Sequence, residues 1–183
     1  EPGHGRTGCR ADDSRRRLAE AMDFAAEQAR ESSVHFVPSF DWKLVLGVAT
    51  YGYELFETHP DLEVVYVPIG LGSGICGTIA ARNALGSRAR MIGVVAENAP
   101  AYADSMAAGR LVEGREIPDT IADGVACRVP NPDSLEVILR EVDEMVRVGE
   151  EEIESAMREL HRMGHRAEGA GAIAYAAWRR EEG

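Results

Sequence analysis

The sequence predicts an α/β fold in which a mostly parallel sheet is flanked by helices in three layers. The first observation is the order of segments in the middle of the chain, where strand, helix, strand and helix alternate, as in right-handed crossovers on a parallel sheet. The second is that residues 62–69 (LEVVYVPI) and 89–97 (ARMIGVVAE) are nearly continuous apolar runs, typical of parallel strands covered on both faces. The third is the length of 183 residues, enough for one domain with a substantial core.

The N-terminal third begins with a segment that shows neither helical nor strand periodicity. Residues 1–17 are therefore predicted to be an unstructured leader before a domain that spans 18–183. Apolar residues recur at helical spacing over 18–29, which predicts a helix. Residues 34–40 (VHFVPSF) predict a short strand ended by its proline, and a helix over 48–57 is closed by the His-Pro pair that follows.

The central part supplies the parallel core. The strand over 62–69 is followed by a glycine-rich turn and a helix predicted over 74–85. This helix ends near Gly86, because glycine readily adopts the left-handed conformation that ends helices. The buried strand over 89–97 is followed by a helix over 99–108, which the next glycine stops.

The last third has weaker patterns. Residues 120–130 (TIADGVACRVP) predict a loop that leads into a short strand. A helix is predicted over Pro132–Glu141, with Asp133 or Ser134 as its N-cap. A short strand followed by a helix with an acidic first turn, and then a helix of small residues, are predicted over 144–163 and 168–178.

Composition and charge exclude several classes of protein. The net charge of −11 repels nucleic-acid backbones, and no apolar run approaches the ~20 residues that span a membrane. Cys9, Cys76 and Cys127 are far apart and odd in number, which argues against a disulfide framework or a zinc site and indicates a reducing cytoplasm. His161 and His165 are interpreted as two exposed polar residues near a helix end rather than as a metal pair.

Residues 64–77 (VVYVPIGLGSGICG) have the features of a phosphate-binding turn. Glycines let the backbone approach an anion, and the first N–H groups of the following helix have no intrahelical acceptor. One interpretation is a tight turn with glycines for packing. Another is a dinucleotide fingerprint, because Gly72 to Gly77 match G-x-G-x-x-G and Glu97 lies 20 residues further on, where a ribose-binding acid would stand. Against the fingerprint, three elements precede it and the turn begins earlier, at Gly70.

A third interpretation rests on a resemblance. Residues 65–81 (VYVPIGLGSGICGTIAA) resemble the phosphate-binding loop of the fold-type II pyridoxal-phosphate enzymes, which are tryptophan synthase β-subunit-like, and in particular that of the serine/threonine dehydratases. In that family a strand and a Val-Pro-x turn precede four glycines and a large apolar residue. Here Leu71 and Ser73 replace glycines, and Gly74 replaces the apolar residue. The resemblance implies that pyridoxal 5'-phosphate is bound by Gly70, Leu71, Gly72, Ser73 and Gly74.

The resemblance continues in register over about residues 18–178, and it includes the strand and helix after the loop and the last two helices. The segment TIADGVACRVP resembles the Thr-Ile-Ala-Asp-Gly segment of the family, which implies a substrate-side position for Asp123 and Gly124. The structural alternative for these two residues is an Asx-type turn. Glu168 is interpreted as a helix N-terminal acid, whereas the family has a glutamate near the cofactor ring at this place.

The resemblance also implies a function. The parent reaction is β-elimination, which converts a small hydroxy amino acid to a 2-oxo acid and ammonia, and the parent enzymes form homo-oligomers. The sequences IGLGSGICG and ADGVACRVP resemble a dehydratase subgroup linked to hydroxyectoine breakdown. Some family members bind a divalent ion through two carboxylates, but the corresponding positions here are Val95 and Ala101, so no metal is expected.

The lysine that forms a Schiff base with the cofactor in this family belongs to a segment ahead of the matched region. Lys43, the single lysine of the chain, falls in DWKLVLG and is predicted to be an exposed loop residue. The sequence thus predicts an incomplete, N-terminally truncated fold-type II domain that contributes no catalytic residue. The alternative hypotheses are a non-catalytic phosphate-ligand-binding remnant or partner subunit, and a nicotinamide-dependent oxidoreductase that uses GSGICG.

Overall fold

The computed structural model of the chain describes residues 18–32, 34–114 and 118–181. Its backbone contacts divide the chain into two units, Glu1–Ser39 and Phe40–Gly183. Helix α1 of the first unit, Leu18–Glu31, confirms the predicted helix and ends two residues later than predicted. The predicted leader, 1–17, lies outside the described residues.

The predicted strand over 34–40 is wrong. Residues 34–38 have no regular secondary structure, and no strand within the described ranges pairs with them. Val34 and Val37 are 61% and 60% exposed. Apolar residues alone do not make a strand, because the backbone N–H and C=O groups of a strand need partners on a neighbouring one. Pro38 in addition has no N–H to donate.

Three parallel strands form the sheet of the second unit, as far as the chain is described: β1 (Val64–Pro68), β2 (Arg90–Ala96) and β3 (Glu144–Val148). The strand order is β1-β2-β3, with Val64 aligned with Arg90, so the carboxyl ends of the strands lie along one edge of the sheet. The central strand is buried from Met91 to Ala96, as its continuous apolar sequence predicts.

Helices connect the strands and cover both faces of the sheet. Their bounds are α2 Trp42–Thr58, α3 Ser73–Ala84, α4 Ala101–Ala108, α5 Pro132–Glu141, α6 Glu150–Arg162 and α7 Gly169–Glu181. A 3₁₀ turn at Asp123–Val125 stands where the sequence predicts a loop and a short strand. That strand is wrong, because the N–H groups of Ala126 and Cys127 donate to carbonyls two or three residues earlier instead of to a neighbouring strand.

The start of α2 and the N-cap of α5 differ from the prediction. Helix α2 begins six residues earlier than predicted, because the side chain of Asp41 caps it by accepting the Lys43 N–H at 2.7 Å. Helix α5 has the predicted bounds, but Asn131 caps it instead of Asp133 or Ser134. The Asn131 Oδ1 accepts the N–H groups of both those residues, at 3.0 and 3.1 Å.

The two faces of the sheet pack against different helices. Val67 and Met91 belong to a core shared with α3, α4 and α5. Val94 and Val148 belong to a second core on the opposite face, shared with α6 and α7. This arrangement confirms the three-layer α/β fold. Among the described helices, none combines the length and the apolar character needed to span a membrane.

Candidate functional site

The turn between β1 and α3, together with the first two residues of α3, comprises Gly70–Gly74, which we call the glycine loop. Ile69 still continues the pairing of β1, because its N–H donates to the Val94 carbonyl at 2.8 Å. The chain then leaves the sheet, and Gly72, with φ of +93°, forms the N-cap of α3. Glycine adopts this left-handed conformation without steric cost. The glycine loop therefore joins the carboxyl end of β1 directly to a helix N-terminus.

A run of backbone N–H groups in and after the glycine loop has no acceptor. The run comprises Gly70, Leu71, Gly72, Ser73, Gly74 and Ile75. Within the described part of the chain none of these N–H groups makes a hydrogen bond, and the next one, of Cys76, donates to the Gly72 carbonyl at 3.0 Å. The Ser73 hydroxyl has no partner among the described residues either. The loop thus offers consecutive donors to a ligand that carries several acceptors, such as an oxyanion.

Two buried side chains, Tyr102 of α4 and Ser134 of α5, hold the glycine loop from inside. Each hydroxyl oxygen lies 2.9 Å from the carbonyl oxygen of Leu71, and the two hydroxyl oxygens are 2.7 Å apart. The Asn131 N–H donates to the Tyr102 hydroxyl at 3.0 Å. Burial raises the pKa of Tyr102 well above its usual range, so this hydroxyl keeps its proton and acts as a donor.

The glycine loop also touches the 3₁₀ turn. A Cβ on Gly70 would overlap the carbonyl oxygen of Gly124, and a Cβ on Gly169, at the start of α7, would lie 2.5 Å from the Ile121 carbonyl oxygen. Both close approaches require glycine. Residues 121–125 therefore run between the glycine loop and the N-terminus of α7.

The structure tests the Asx-type turn suggested for Asp123 and the helix-terminal position predicted for Glu168. The turn at Asp123 is closed by its backbone carbonyl, which accepts the Ala126 N–H at 3.0 Å. The exposed Asp123 carboxylate makes no hydrogen bond to a described residue, so the Asx-type turn is wrong. Glu168 is a helix N-terminal acid, as the sequence predicts. Its carboxylate accepts the N–H groups of Ala170 and Gly171 at 2.8 and 2.9 Å.

The remaining candidates lie outside this cluster of contacts. Lys43 is exposed, as predicted, but it belongs to the first turn of α2 and not to a loop. Val95 and Ala101 are each 1% exposed, and no group of three His, Cys, Asp or Glu residues within the described ranges could hold a metal ion. His161 and His165 are both exposed near the end of α6, as the sequence predicts.

The third glycine of the dinucleotide fingerprint packs closely against helix α2. A Cβ on Gly77 would lie 2.9 Å from the backbone nitrogen of Ala49 in α2. In a dinucleotide fold this glycine permits close packing of helix and strand. Glu97 is exposed and close to Gly149, since a Cβ on Gly149 would lie 3.3 Å from the Glu97 carboxylate. Gly77 therefore serves the α2–α3 contact.

Sequence reasoning missed three side chains that touch the glycine loop: Tyr51, Tyr102 and Ser134. The Tyr51 hydroxyl donates to the Gly74 carbonyl at 3.1 Å and lies 3.1 Å from the Thr78 hydroxyl. These residues come from three different helices, so nothing in their spacing along the chain indicates that they meet at one turn. The tyrosine in α4 was the feature of the sequence that could have indicated such a contact, because a buried phenol usually needs a hydrogen-bond partner.

The fold and the glycine loop define an α/β protein with a parallel sheet and, at the carboxyl end of a strand, a turn whose backbone N–H groups have no acceptor among the described residues. The sequence profile of the family described as pyridoxal-phosphate dependent enzyme matches residues 6–183, and the chain belongs to this family. The match begins within the predicted leader and extends to the last residue given.

Curated relatives include threonine-degrading enzymes. The chain is 39% identical over 162 residues to L-threonine ammonia-lyase of Thermotoga maritima, a match that covers 86% of this chain and 40% of the relative. It is 38% identical over 160 residues to a catabolic L-threonine dehydratase of Staphylococcus aureus, a match that covers 86% of this chain and 46% of the relative. The chain thus spans less than half the length of these relatives.

Solved structures share the fold over most of the chain. The T.th. threonine deaminase superposes with a TM-score of 0.85 at 26% identity, covering 91% of this chain and 56% of that one. The processed form of threonine deaminase isoform 2 from Solanum lycopersicum superposes with a TM-score of 0.81 at 27% identity. This match covers 87% of this chain and 47% of the tomato protein's chain. The sheet and helices described above therefore correspond to part of a larger fold.

Proposed function

We propose that this chain supplies the phosphate-binding part of a pyridoxal-phosphate-dependent ammonia-lyase that acts on a small hydroxy amino acid. The observation that carries the proposal is the run of backbone N–H groups from Gly70 to Ile75 that have no acceptor among the described residues. Phosphate oxygens accept several hydrogen bonds at once, and the partial positive charge at the N-terminus of α3 favours a dianion. Membership of the family supports pyridoxal 5'-phosphate as the phosphate ester for this site.

The glycine loop would hold the cofactor phosphate through its backbone N–H groups and the Ser73 hydroxyl. Because backbone groups are the main donors, Leu71 and Ser73 in place of two family glycines leave the number of N–H donors unchanged. The Leu71 side chain packs partly buried against the core beside α3, α4 and α5. Its bulk is therefore accommodated by the core, which supports a phosphate site despite the departure from the glycine run.

The names of the relatives support a lyase reaction on a β-hydroxy amino acid. Pyridoxal phosphate, when bound, withdraws electrons from the Cα of an amino-acid substrate and so makes loss of the α-proton and of the β-hydroxyl possible. Asp123 is proposed to lie on the substrate side, because its neighbour Gly124 touches the glycine loop and its carboxylate makes no hydrogen bond to the described residues. The resemblance to the hydroxyectoine subgroup keeps threonine as one candidate among hydroxy amino acids.

None of the described residues is assigned as the base that removes the substrate proton. Lys43 is exposed in the first turn of α2 and is not placed in the proposed site. We therefore expect the isolated chain to bind the cofactor without a covalent link and to have little dehydratase activity. A protein with that behaviour matches the alternative hypothesis of a non-catalytic remnant or partner subunit.

Calorimetric titration of the purified chain with pyridoxal 5'-phosphate tests the site. Ser73→Asp places a negative charge at the first residue of α3, where the helix dipole favours it, but opposes a bound phosphate. We expect binding weakened by about tenfold or more, equivalent to about 1.4 kcal/mol, and an unchanged or raised Tm. The uncharged, matched variant Ser73→Asn should bind within about threefold of the unaltered chain.

Equal affinities of Ser73→Asp and Ser73→Asn for pyridoxal 5'-phosphate would contradict the proposed phosphate site. Preferential, saturable binding of a nicotinamide dinucleotide would instead support the oxidoreductase that uses Gly72 to Gly77. A borohydride-reducible absorbance band that disappears in Lys43→Ala would make Lys43 the attachment residue and overturn the expectation of non-covalent binding.

A further inference from the structure

The carbonyl oxygen of Leu71, in the glycine loop, lies within hydrogen-bond distance of two buried side-chain hydroxyls. Tyr102 and Ser134 are 1% and 0% exposed, and both lie 2.9 Å from this carbonyl oxygen. The Asn131 N–H donates to the Tyr102 hydroxyl, and the Tyr102 and Ser134 hydroxyls each donate their single proton to the Leu71 carbonyl. Every hydroxyl proton then has an acceptor, as buried polar groups require.

The planarity of the peptide bond couples this carbonyl to the donor that follows it. In a trans peptide, the C=O of one residue and the N–H of the next point in opposite directions, and no cis bond occurs in the described chain. Because the Leu71 carbonyl points toward Tyr102 and Ser134, the Gly72 N–H points away from them. The Gly72 N–H is one of the consecutive donors that have no acceptor among the described residues.

The same cluster explains why residue 72 is glycine. A Cβ on Gly72 would lie 2.5 Å from the Cβ and 2.6 Å from the hydroxyl oxygen of Ser134, and its φ of +93° favours glycine. Ser134 therefore packs directly under the peptide whose orientation it helps to fix. The Tyr102 hydroxyl is 3.4 Å from the same Cβ position.

We propose that Tyr102 is a positioning residue for phosphate binding, and that with Ser134 it holds the 71–72 peptide so that the Gly72 N–H faces the ligand. This inference rests on the proposed function, because the ligand is the phosphate group of the cofactor. If the peptide rotated, the Leu71 carbonyl would face the phosphate, and a negative dipole end would replace a donor. Tyr102 does not touch the ligand and acts through the backbone.

The test compares Tyr102→Phe with Ser105→Ala in the full 183-residue chain. Ser105 also lies in α4, is 0% exposed and hydrogen-bonds to the backbone of Ala101 and Val112 instead of the glycine loop. Both variants thus lose one buried hydroxyl from the same helix. Affinities for pyridoxal 5'-phosphate, inorganic phosphate and pyridoxal without phosphate are measured by calorimetry, and the Gly72 amide is followed by ¹⁵N NMR.

We expect Tyr102→Phe to weaken binding of pyridoxal 5'-phosphate and of inorganic phosphate about tenfold, since one hydrogen bond that orients a donor is lost. Binding of pyridoxal should stay within about twofold, and the Gly72 amide signal should move in the absence of ligand. Ser134→Ala is the second variant, and it should show the same selective loss of phosphate affinity. Ser105→Ala should bind all three ligands as the unaltered chain does.

Unchanged phosphate affinity in both Tyr102→Phe and Ser134→Ala overturns the positioning role while leaving the proposed function intact. An equal loss of affinity in Ser105→Ala also overturns it, because a general loss of stability would then explain the effect. Absence of phosphate and cofactor binding by the unaltered chain overturns the proposed function and this inference with it.

Discussion

Gly70 lies so close to Gly124 that a Cβ on Gly70 would overlap the carbonyl oxygen of Gly124. This contact joins the glycine loop to the 3₁₀ turn at Asp123–Val125, and it does so backbone to backbone. Gly70 therefore cannot carry a side chain unless the backbone of the 3₁₀ turn moves. The position of the proposed substrate-side turn is therefore set by the absence of a side chain on the first residue of the loop.

Gly70→Ala should destabilise the fold by about 1–3 kcal/mol, because the added methyl group must displace the backbone of the 3₁₀ turn. Gly47→Ala is the matched control. Gly47 lies inside α2 with no atom within 4 Å of the position that a Cβ would take, so alanine should stabilise the chain by about 0.5–1 kcal/mol. Urea unfolding measures both changes, and a change of the same sign in the two variants would contradict the packing argument.

Tyr51→Phe should lower the unfolding free energy by about 0.5–1.5 kcal/mol, because it removes the hydrogen bond from the phenol to the Gly74 carbonyl. Tyr53, in the same helix, is 45% exposed and makes no hydrogen bond to a described residue. Tyr53→Phe should therefore change stability by less than about 0.5 kcal/mol. Thermal or urea unfolding of the pair provides the measurement, and indistinguishable variants would show that the contact with Gly74 contributes nothing.

The parts of the fold that could be predicted from sequence are those with a local cause. Continuous apolar runs marked β1 and β2, and glycines followed by an apolar segment marked the loop before α3. The predicted strand over 34–40 was wrong because an apolar run does not show whether a neighbouring strand is available to pair with it. The hydroxyl cluster of Tyr102 and Ser134 was missed because its members are brought together only by the packing of α4 and α5.

Acid pH should weaken the fold partly through Glu152. Hydrogen bonds from Arg180, and then from the Gly149 N–H, hold the pKa of this carboxyl below its usual range, against an opposing effect of burial. Since the pKa is lower in the folded chain than in the unfolded chain, the stabilisation is present above the unfolded pKa and is lost as the pH falls through the folded pKa.

Glu152→Gln should therefore reduce the loss of stability between about pH 7 and about pH 3. Glu154→Gln is the control, because Glu154 forms an exposed ion pair with Arg158 one turn away, and such pairs contribute little. Urea unfolding at several pH values measures how steeply the free energy of unfolding depends on pH in each variant. A slope in Glu152→Gln equal to that of the unaltered chain would remove Glu152 as a source of acid sensitivity.

Asn131→Ala should destabilise the chain more than Asp133→Ala. The Asn131 side chain accepts two N–H groups at the start of α5, and loss of such a cap costs about 1 kcal/mol, within a range of about 0.5–2 kcal/mol. Asp133 only places a charge in the first turn, so its removal should cost about 0.3–1 kcal/mol at low salt and less at high salt. Urea unfolding at two salt concentrations distinguishes the loss of the cap hydrogen bonds, which is insensitive to salt, from the loss of the charge, which is not. A larger, salt-independent loss in Asp133→Ala would restore Asp133 as the cap that the sequence predicts.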